Sequence, residues 1–311
     1  MEIAISVILT IVGLAMLCFG GNWLVSGGVA IARKFRISNL VIGMTIVAYG
    51  TSTPELAASV AAAGEHSAII LGNIVGSNIA NVGMVIGVAA ILIPLTVNKS
   101  VLRKEIPIML GVSVLLVLIS IDGELSQYDG VLLLAGLGVF GYYTFKDAMK
   151  QRSENKEELQ QNTNNVYLKS AGLIGIGIAL LYVGAILTVD NAVILAKEFG
   201  LSETIIGLTV IAIGTSLPEL ITSIIAIKKG HGDIGVGNII GSNIYNILMI
   251  MGVGAALGGV VVGTDVYVDY TIMIIFSLSL LLALKTGIIS RSVGVCLTIG
   301  YVVYLVATFF K

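Results

Sequence analysis

The sequence predicts an all-α polytopic membrane protein. Of its 311 residues, 57% are hydrophobic and only 11% are charged, and the mean hydropathy is +1.03. A soluble domain has about 25% charged residues, because charged side chains cover its surface. A transmembrane helix needs about 20 apolar residues, so a chain of this length has room for about ten spans. This composition argues against a soluble enzyme, a nucleic-acid-binding protein and a disulfide scaffold.

Ten apolar stretches are separated by charged or turn-rich segments. They lie near residues 3–31, 39–64, 68–95, 105–121, 128–147, 168–196, 204–227, 232–262, 267–284 and 292–310. The first has no basic segment before it and no small-residue cleavage site after it, so we interpret it as a helix and not as a signal peptide. A polar linker, residues 150–167, is too hydrophilic to pack. It separates a first half, residues 1–149, from a second half, residues 168–311.

The basic residues predict the orientation of the chain in the membrane. Cytoplasmic loops of membrane proteins contain an excess of Lys and Arg. If the N-terminus lies outside, fifteen of the seventeen Lys and Arg residues fall on the cytoplasmic side, and only Lys197 and Lys311 do not. We therefore expect a multi-pass protein of the plasma or inner membrane, with both termini extracellular and the 150–167 linker cytoplasmic.

The two halves contain the same two sequence blocks. Residues 43–59 match residues 207–223 at ten of seventeen positions, and residues 72–81 match residues 237–246 at eight of ten. Because each half has five predicted spans, an odd number, the second half begins on the opposite side of the membrane. The sequence therefore predicts ten transmembrane helices in two inverted five-helix repeats, an architecture found in secondary transporters.

Two acidic residues occupy equivalent positions within the predicted spans. Glu55 and Glu219 lie near the middles of the second and seventh spans, where a carboxylate costs several kcal/mol unless it is paired or faces water. No Lys or Arg lies in the centre of any span, so the expected counter-charge is a cation from solution. Asp190, a third acidic residue within a span, aligns with Ser26 and lies near a helix end, which favours a structural or interfacial role.

Prolines and polar side chains surround each glutamate. Pro54 and Pro218 cannot donate a backbone hydrogen bond, so the second and seventh helices are expected to be discontinuous, with carbonyl groups lining a cavity. In the third and eighth spans, polar residues recur every four positions. They are Asn73, Ser77 and Asn81 in the first half and Asn238, Ser242 and Asn246 in the second. A single proline or polar stripe is usually structural, but the duplication of both around a glutamate favours an ion site.

The chemistry of the two blocks predicts the kind of ion. Carboxylate, hydroxyl, amide and carbonyl oxygens suit Ca²⁺ and Na⁺, and the blocks contain no thiol or imidazole group for a transition metal. Two carboxylates give the site a charge near −2. One Ca²⁺ or two Na⁺ would neutralise that charge, so the two ions would compete for the same oxygens.

The motifs GTSTPE and GTSLPE, each followed by GNIxGSNIxN, resemble the two alpha-repeats of the cation/Ca²⁺ antiporter superfamily, and most closely those of prokaryotic-type Na⁺/Ca²⁺ exchangers. The alpha-1 motif spans residues 43–81 and the alpha-2 motif spans residues 207–246. The resemblance implies ten helices, no cofactor and the exchange of Na⁺ for Ca²⁺ by alternating access. It also implies twelve ion-binding positions. They are Ala48, Thr51, Ser52, Glu55, Ser77, Asn81, Ala212, Thr215, Ser216, Glu219, Ser242 and Asn246.

The resemblance also assigns a role to each of these positions. Backbone carbonyls would bind at Ala48, Thr51, Ala212 and Thr215; carboxylates at Glu55 and Glu219; hydroxyls at Thr51, Ser52, Ser77, Thr215, Ser216 and Ser242; and amides at Asn81 and Asn246. Thr53 stands where the family usually has Leu, as this chain has Leu217 in the second half. The first and sixth spans carry no predicted site residue, and by analogy with the family they are candidates for a moving gate.

The residues leave the coupling ion and the transport class open. A buried pair of glutamates can also exchange H⁺ for Ca²⁺. The second motif of proton-coupled relatives differs, because it has an acidic residue near its end. This chain has Asn81 and Asn246 there. K⁺-dependent relatives are similar in using an extra acid at the position of Asn246. A cation channel is the alternative from another class, but channels usually place equivalent subunits around a pore.

The last expectations concern assembly and the cysteines. Because the chain encloses its own pseudo-symmetric site, we expect a functional monomer in the lipid bilayer, with electrogenic transport if a third Na⁺ binds. Cys18 and Cys296 lie in apolar runs near opposite ends of the chain. They are expected to be buried free thiols and not a disulfide bond.

Overall fold

The computed structural model describes residues 2–63, 67–98, 100–154, 164–198, 200, 212–264 and 266–308. Almost all of these residues are helical. The predicted seventh span is described only from residue 212 onward, and the predicted linker is described only near its two ends. The rest of these two segments, including residues 207–211 of the alpha-2 motif, lies outside the described residues.

The described residues of the first half form eight α-helices. They are α1 (Glu2–Phe35), α2 (Asn39–Ile42), α3 (Ala48–Thr51), α4 (Thr53–Ala62), α5 (Ser67–Ala80), α6 (Gly87–Leu92), α7 (Ile106–Ile119) and α8 (Gln127–Glu154). Three π-helical turns connect or extend these helices: one joins α2 to α3, one joins α5 to α6, and one precedes α7. They cover Gly43–Val47, Asn81–Ile86 and Val101–Glu105.

The second half repeats this pattern in its described residues. Its helices are α9 (Asn164–Glu198), α10 (Ala212–Thr215), α11 (Leu217–Lys228), α12 (Gly232–Tyr245), α13 (Gly252–Gly258), α14 (Val266–Ser279) and α15 (Arg291–Thr308). A π-helical turn, Asn246–Met251, joins α12 to α13, and a 3₁₀ turn, Leu280–Leu284, extends α14.

Six continuous helical stretches in the described residues are long and apolar enough to cross a membrane. They are Ile3–Phe35, Ile70–Leu92, Leu168–Glu198, Gly232–Gly258, Val266–Leu284 and Arg291–Thr308. Large apolar side chains such as Ile8, Ile11 and Phe19 are exposed along α1, as expected for a helix surface that faces lipid. The chain is therefore a helical membrane protein, and the count of ten crossings stays a prediction.

Glycine residues bring α1 and α9 into close contact. A Cβ atom at Gly20 would lie 2.8 Å from the carbonyl oxygen of Gly177, and one at Gly184 would lie 2.9 Å from that of Gly13. Side chains at these positions would separate the two helices, so only glycine permits this packing. Gly13 and Gly20 align with Gly177 and Gly184 in the sequence repeat, and the contact is therefore made twice by equivalent residues.

The buried apolar side chains form two clusters. The larger cluster includes residues of α5 to α8 and α12 to α15. At its centre lie two helical rods, Ile70–Leu92 and Gly232–Gly258, and in the most apolar part of each rod 83% of the residues are buried. The smaller cluster joins α1 and α9 to α2 and α11, through residues such as Leu24, Ile42 and Leu181. The α1–α9 pair thus packs against the rest of the bundle through this smaller cluster, and its role as a moving gate stays a prediction.

Two short antiparallel strand pairs, which the sequence did not predict, join the halves. Strand β1 (Leu95–Thr96) pairs with β4 (Ile288–Ile289), and β2 (Glu124–Leu125) pairs with β3 (Val260–Val261). Strands β1 and β3 occupy equivalent repeat positions, as do β2 and β4. The two ladders are therefore one contact made twice, as an inverted duplication requires.

A glycine turn accompanies each ladder. Gly123 and Gly287 have φ angles of 91° and 67°, a region that glycine adopts without strain. The Gly123 carbonyl accepts a hydrogen bond from the Val262 amide at 2.9 Å, and the Gly287 carbonyl accepts one from the Val97 amide at 2.8 Å. These equivalent bonds extend the pseudo-symmetry into the loops at both ends of the bundle.

The cysteines depart from the sequence prediction in one respect. Cys18 and Cys296 are free, as expected, but both are exposed, so the prediction that they are buried was wrong. The error has a physical cause, because a helix in a bilayer presents apolar residues to lipid as well as to the protein interior. An apolar run therefore does not by itself imply burial within the protein.

Candidate ion-binding site

Both glutamate-bearing helices break at a serine two residues before the proline. Ser52 separates α3 from α4 with φ −83° and ψ 8°, and Ser216 separates α10 from α11 with φ −90° and ψ 3°. Pro54 and Pro218 then lie in the first turn of the new helix, where a missing N–H group leaves no bond unmade. The predicted discontinuity of the second and seventh helices is confirmed.

The break places each glutamate in the first turn of a helix. Glu55 lies in the first turn of α4 and Glu219 in that of α11, and both are at most 1% exposed. The partial positive charge at a helix N-terminus stabilises a carboxylate there, which offsets part of the cost of burial. Two carboxylates in one buried site repel each other when both are ionised. A cation bound at this site would relieve that repulsion.

Each glutamate also has a buried oxygen that lacks a hydrogen bond. The Oε2 atoms of Glu55 and Glu219 have no hydrogen-bond partner among the described residues. A buried acceptor without a partner costs about 1–3 kcal/mol, and more when it is charged. These two oxygens are therefore strong candidates to bind a cation.

The hydroxyl groups around Glu219 come from both halves of the chain. Ser52 donates a hydrogen bond to Glu219 Oε1 at 3.1 Å, and Ser242 donates to the same oxygen at 3.4 Å. The Thr51 hydroxyl lies 3.0 Å from Asn238 Oδ1 and 3.5 Å from the Ser242 hydroxyl. The break between α3 and α4 thus meets α11 and α12, and the predicted residues of the two repeats converge there.

The surroundings of Glu55 are different. Asn73 Nδ2 donates to the backbone carbonyl of Glu55 at 3.3 Å and lies 3.2 Å from the Ser59 hydroxyl. Among the described residues, no side chain donates to the Glu55 carboxylate. Ser216, the equivalent of Ser52, has a buried hydroxyl for which this part of the chain provides no partner. The hydrogen bond from Ser52 to Glu219 therefore has no equivalent between Ser216 and Glu55 in the described residues.

Four asparagine side chains form a symmetric cluster between the halves. Asn78 Nδ2 donates to the Asn243 carbonyl at 3.3 Å, and Asn243 Nδ2 donates to the Asn78 carbonyl at 3.4 Å. Asn81 donates to Asn243 Oδ1 and Asn246 donates to Asn78 Oδ1, both at 3.0 Å. Every bond in this cluster has its equivalent in the other repeat, so the cluster lies on the pseudo-two-fold axis.

The same cluster presents two further oxygens. The Oδ1 atoms of Asn81 and Asn246 are buried and have no partner among the described residues. Each of these residues begins a π-helical turn, a feature that is frequent at functional sites. Asn81 and Asn246 therefore have acceptor oxygens available for a cation, as expected for ligands, while Asn78 and Asn243 orient them.

The sequence analysis missed Asn78 and Asn243. Both belong to the GSN triplets that the repeats share, so the duplication itself pointed to them. They were missed because the predicted stripe followed every fourth residue, and these two asparagines lie next to that stripe. Helical periodicity identified one polar face, whereas two faces of α5 and of α12 carry polar residues.

The remaining predicted residues occupy varied positions. Ser77 is buried, and Thr215 is partly buried at the end of α10. The Ala48 carbonyl already accepts a hydrogen bond from the Ser52 amide at 3.0 Å and lies 3.3 Å from the Thr51 hydroxyl. Ala212 is the first residue of α10. The Ser52 amide thus competes with any ion for the Ala48 carbonyl, whereas the single hydrogen of the Thr51 hydroxyl lies closer to Asn238 Oδ1.

Two residues lie apart from this site. The Thr53 hydroxyl of α4 donates to the Tyr49 carbonyl of α3 at 3.0 Å, across the break at Ser52. Asp190 is exposed on α9, as its predicted structural role allows. No group of three His, Cys, Asp or Glu side chains within the described ranges is arranged to hold a metal ion, and neutral oxygens would have to complete any cation site.

Comparison with known proteins identifies relatives over the whole length of the chain. The family model described as "Sodium/calcium exchanger protein" matches residues 5–146 and 169–310. Inner membrane protein YrbG of Escherichia coli is 39% identical, and the match covers 96% of this chain and 94% of the relative. Sodium/calcium exchanger MaX1 of Methanosarcina acetivorans is 32% identical over 99% of both chains.

The fold also matches a solved structure. The sodium-calcium exchanger NCX_Mj superimposes with a TM-score of 0.86 at 36% sequence identity, covering 98% of this chain and 99% of that chain. The two inverted helical halves and the discontinuous helices therefore belong to a known transporter architecture.

Proposed function

The chain belongs to the sodium/calcium exchanger family, and from this membership we propose that it is a secondary active antiporter that exchanges Na⁺ for Ca²⁺ across the membrane. Members of this family are ion exchangers and not enzymes. One observation carries the proposal: two buried glutamates, one from each half, lie in equivalent first helical turns, each with an unpaired oxygen.

The proposed ion ligands are the twelve positions that the resemblance implies. The support is strongest for the oxygens of Glu55, Glu219, Asn81 and Asn246, because all four residues are buried and have an oxygen without a protein partner in the described residues. The hydroxyl groups of Ser52 and the other serines and threonines would complete the coordination. Ca²⁺ takes six to eight oxygen ligands, which two carboxylates alone cannot provide.

Charge balance explains how the two ions would exchange. A site with two ionised glutamates carries a charge near −2, so one Ca²⁺ or two Na⁺ neutralise it. Once either set of ions is bound, the other set cannot bind, because no negative charge is left to compensate it. Moving an uncompensated charge through a low-dielectric interior is costly. Only a neutralised site would therefore change its access from one side to the other, which couples the two fluxes. A third Na⁺ on the neutral oxygens would make the cycle electrogenic.

We propose that the change of access involves the α1–α9 pair. This pair packs against α2, α11 and α12 through the smaller apolar cluster and carries none of the proposed ligands. Sliding of the pair relative to the α5–α6 and α12–α13 rods would leave the asparagine cluster intact. The proposed protein acts as a monomer, with both termini extracellular and the 150–167 linker cytoplasmic, as the distribution of Lys and Arg favours.

The test is Ca²⁺ flux into proteoliposomes under imposed gradients. We expect Ca²⁺ uptake to follow a Na⁺ gradient and to ignore K⁺ and pH gradients of the same size. The Glu55→Gln and Glu219→Gln variants should lose this flux, whereas Glu124→Gln, an exposed acid on β2, is a matched control that should keep it. Uptake that follows the pH gradient alone would replace Na⁺ by H⁺ as the coupling ion.

A further inference from the structure

An acidic cavity lies at the end of the bundle where the linker begins, and its lining includes none of the proposed ion ligands. The cavity has a volume of about 150 Å³ and is lined by polar side chains from four regions of the chain. They include Ser38 before α2, Asn98 before α7, Glu105 at the start of α7, Asp147 and Gln151 of α8, and Asp233 of α12.

Each of three carboxylates in this cavity is held through one oxygen by a neutral donor. The Tyr143 hydroxyl donates to Glu105 Oε1 at 3.0 Å. Gln151 Nε2 donates to Asp147 Oδ2 at 2.6 Å, and Asn98 Nδ2 donates to Asp233 Oδ1 at 3.0 Å. Neutral donors orient the three groups without cancelling their charge. The lining also includes Lys104, so the formal charge of the cavity is −2.

Glu105 provides the observation that points to a ligand. Its side chain is only 3% exposed and lines the cavity. Its second oxygen, Oε2, has no hydrogen-bond partner in the part of the chain that the structure describes. Burying a carboxylate in this way is unfavourable unless a cation or a donor compensates it.

We propose that this cavity binds a divalent cation that keeps part of its water shell, at a site separate from the transported ions. The described side chains contain no group of three acids close enough to bind one ion directly, so water must supply several ligands. A cavity of this size accommodates an ion with several waters. Carboxylate, amide and hydroxyl oxygens are ligands for Ca²⁺ and Mg²⁺, and Mg²⁺ in particular retains water in its protein sites.

The position of the cavity gives such a cation a regulatory role. Ser38 is the N-cap of α2, and Asp233 lies in the first turn of α12. The helical stretch Asn39–Thr51 begins with α2 and ends at a proposed ion ligand, Thr51. Helix α12 contains another proposed ligand, Ser242, so both segments connect the cavity to the proposed ion site. A cation that draws Asp233 and Ser38 toward Glu105 would fix these two rods against α7. This role goes beyond the proposed exchange, because the cation is not transported.

The test measures binding where the transport site has been disabled. In the detergent-solubilised Glu55→Gln/Glu219→Gln double variant, titration calorimetry with Ca²⁺, and separately with Mg²⁺, should detect one remaining divalent site. Adding Glu105→Gln and Asp147→Asn should weaken its affinity at least tenfold, whereas adding Glu124→Gln should not change it. The ion that binds more tightly identifies the natural class of ligand.

Three outcomes would overturn the proposal: no divalent binding in the double variant, binding that ignores the Glu105 and Asp147 changes, or equal loss with the control. If the Glu105 variant fails to fold, Asp147→Asn alone provides the test, because Asp147 is only partly buried. Absence of Na⁺-driven flux in the unmutated protein, with intact binding at this cavity, would reject the proposed exchange and leave this site standing. Na⁺-driven flux in the unmutated protein without divalent binding at this cavity would reject this site alone.

Discussion

The two glutamates have the same sequence surroundings but different hydrogen bonds. Glu219 accepts bonds from Ser52 and Ser242, whereas no described side chain donates to the Glu55 carboxylate, and Ser216 is buried without a partner in the same residues. Under the alternating access proposed above, the site opens to one side at a time and the two halves are in different states. We therefore attribute the difference to the conformation.

The asparagine cluster shows the opposite behaviour. Each of its bonds is matched in the other repeat, with distances that agree within 0.1 Å. A region that stays symmetric while its neighbours do not is suited to be the fixed centre of a conformational change. The serine–glutamate contacts are then the part that switches. Four predictions follow from this contrast, in order of decreasing effect.

The largest effect is expected from neutralising either glutamate. Glu55→Gln and Glu219→Gln keep the shape of the side chain but reduce the site charge to −1, which no longer balances Ca²⁺. Removing one member of a buried charge system costs about 3–5 kcal/mol, so Na⁺-driven Ca²⁺ uptake should fall at least about 100-fold in both. An effect limited to one glutamate would show that the asymmetry of the structure persists throughout the transport cycle.

The next effect concerns the symmetric cluster. Asn78→Ala and Asn243→Ala each leave buried amide groups without partners, which costs about 1–3 kcal/mol for every unsatisfied group. We expect equal losses of about 2–3 kcal/mol in the free energy of unfolding, measured by denaturant titration in detergent. Asn191→Ala is the control, because Asn191 bonds only within its own helix. Clearly unequal losses would contradict the fixed-centre role.

A smaller and one-sided effect is expected from the serines at the helix breaks. Ser52→Ala removes a bond to a charged carboxylate, worth about 1.5–3 kcal/mol, whereas Ser216→Ala removes a hydroxyl for which the described residues offer no partner. In ion-free protein, the thermal midpoint should fall for Ser52→Ala and change little for Ser216→Ala. Equal shifts would mean that both conformations are similarly populated.

The smallest effect is expected at Thr53. Its hydroxyl makes an exposed bond to the Tyr49 carbonyl across the break at Ser52, and the equivalent residue in the other half is Leu217. Thr53→Leu should therefore leave the Na⁺ dependence of Ca²⁺ uptake unchanged and alter stability by less than about 0.5 kcal/mol. A changed Na⁺ dependence would add Thr53 to the ion site.

The sequence was informative wherever the duplication could be aligned. The paired motifs around Pro54 and Pro218 predicted two broken helices, and the break was found at Ser52 and Ser216. The structure opens the helix before the proline because Pro occupies the first turn of a new helix more readily than the interior of an old one. The duplication also predicted which residues of the two halves are equivalent.

The missed features all depend on contacts between segments that are distant in the sequence. Asn78 and Asn243 matter because each reaches the backbone of the other, which a helical period cannot reveal. The exposure of Cys18 depends on whether its face of α1 meets lipid or protein. The apolar composition of α1 is compatible with both, so this distinction required the packed structure.

The two small strand pairs have a consequence for how the chain is assembled. Leu95 of the first half pairs with Ile289 near the end of the second, and Leu125 pairs with Val260. These contacts cannot form until most of the second half has been synthesised, and contacts between such distant residues form slowly. The first half must therefore wait in the membrane with its loop strands unpaired. In each ladder, one half provides the strand that pairs with the loop strand of the other half.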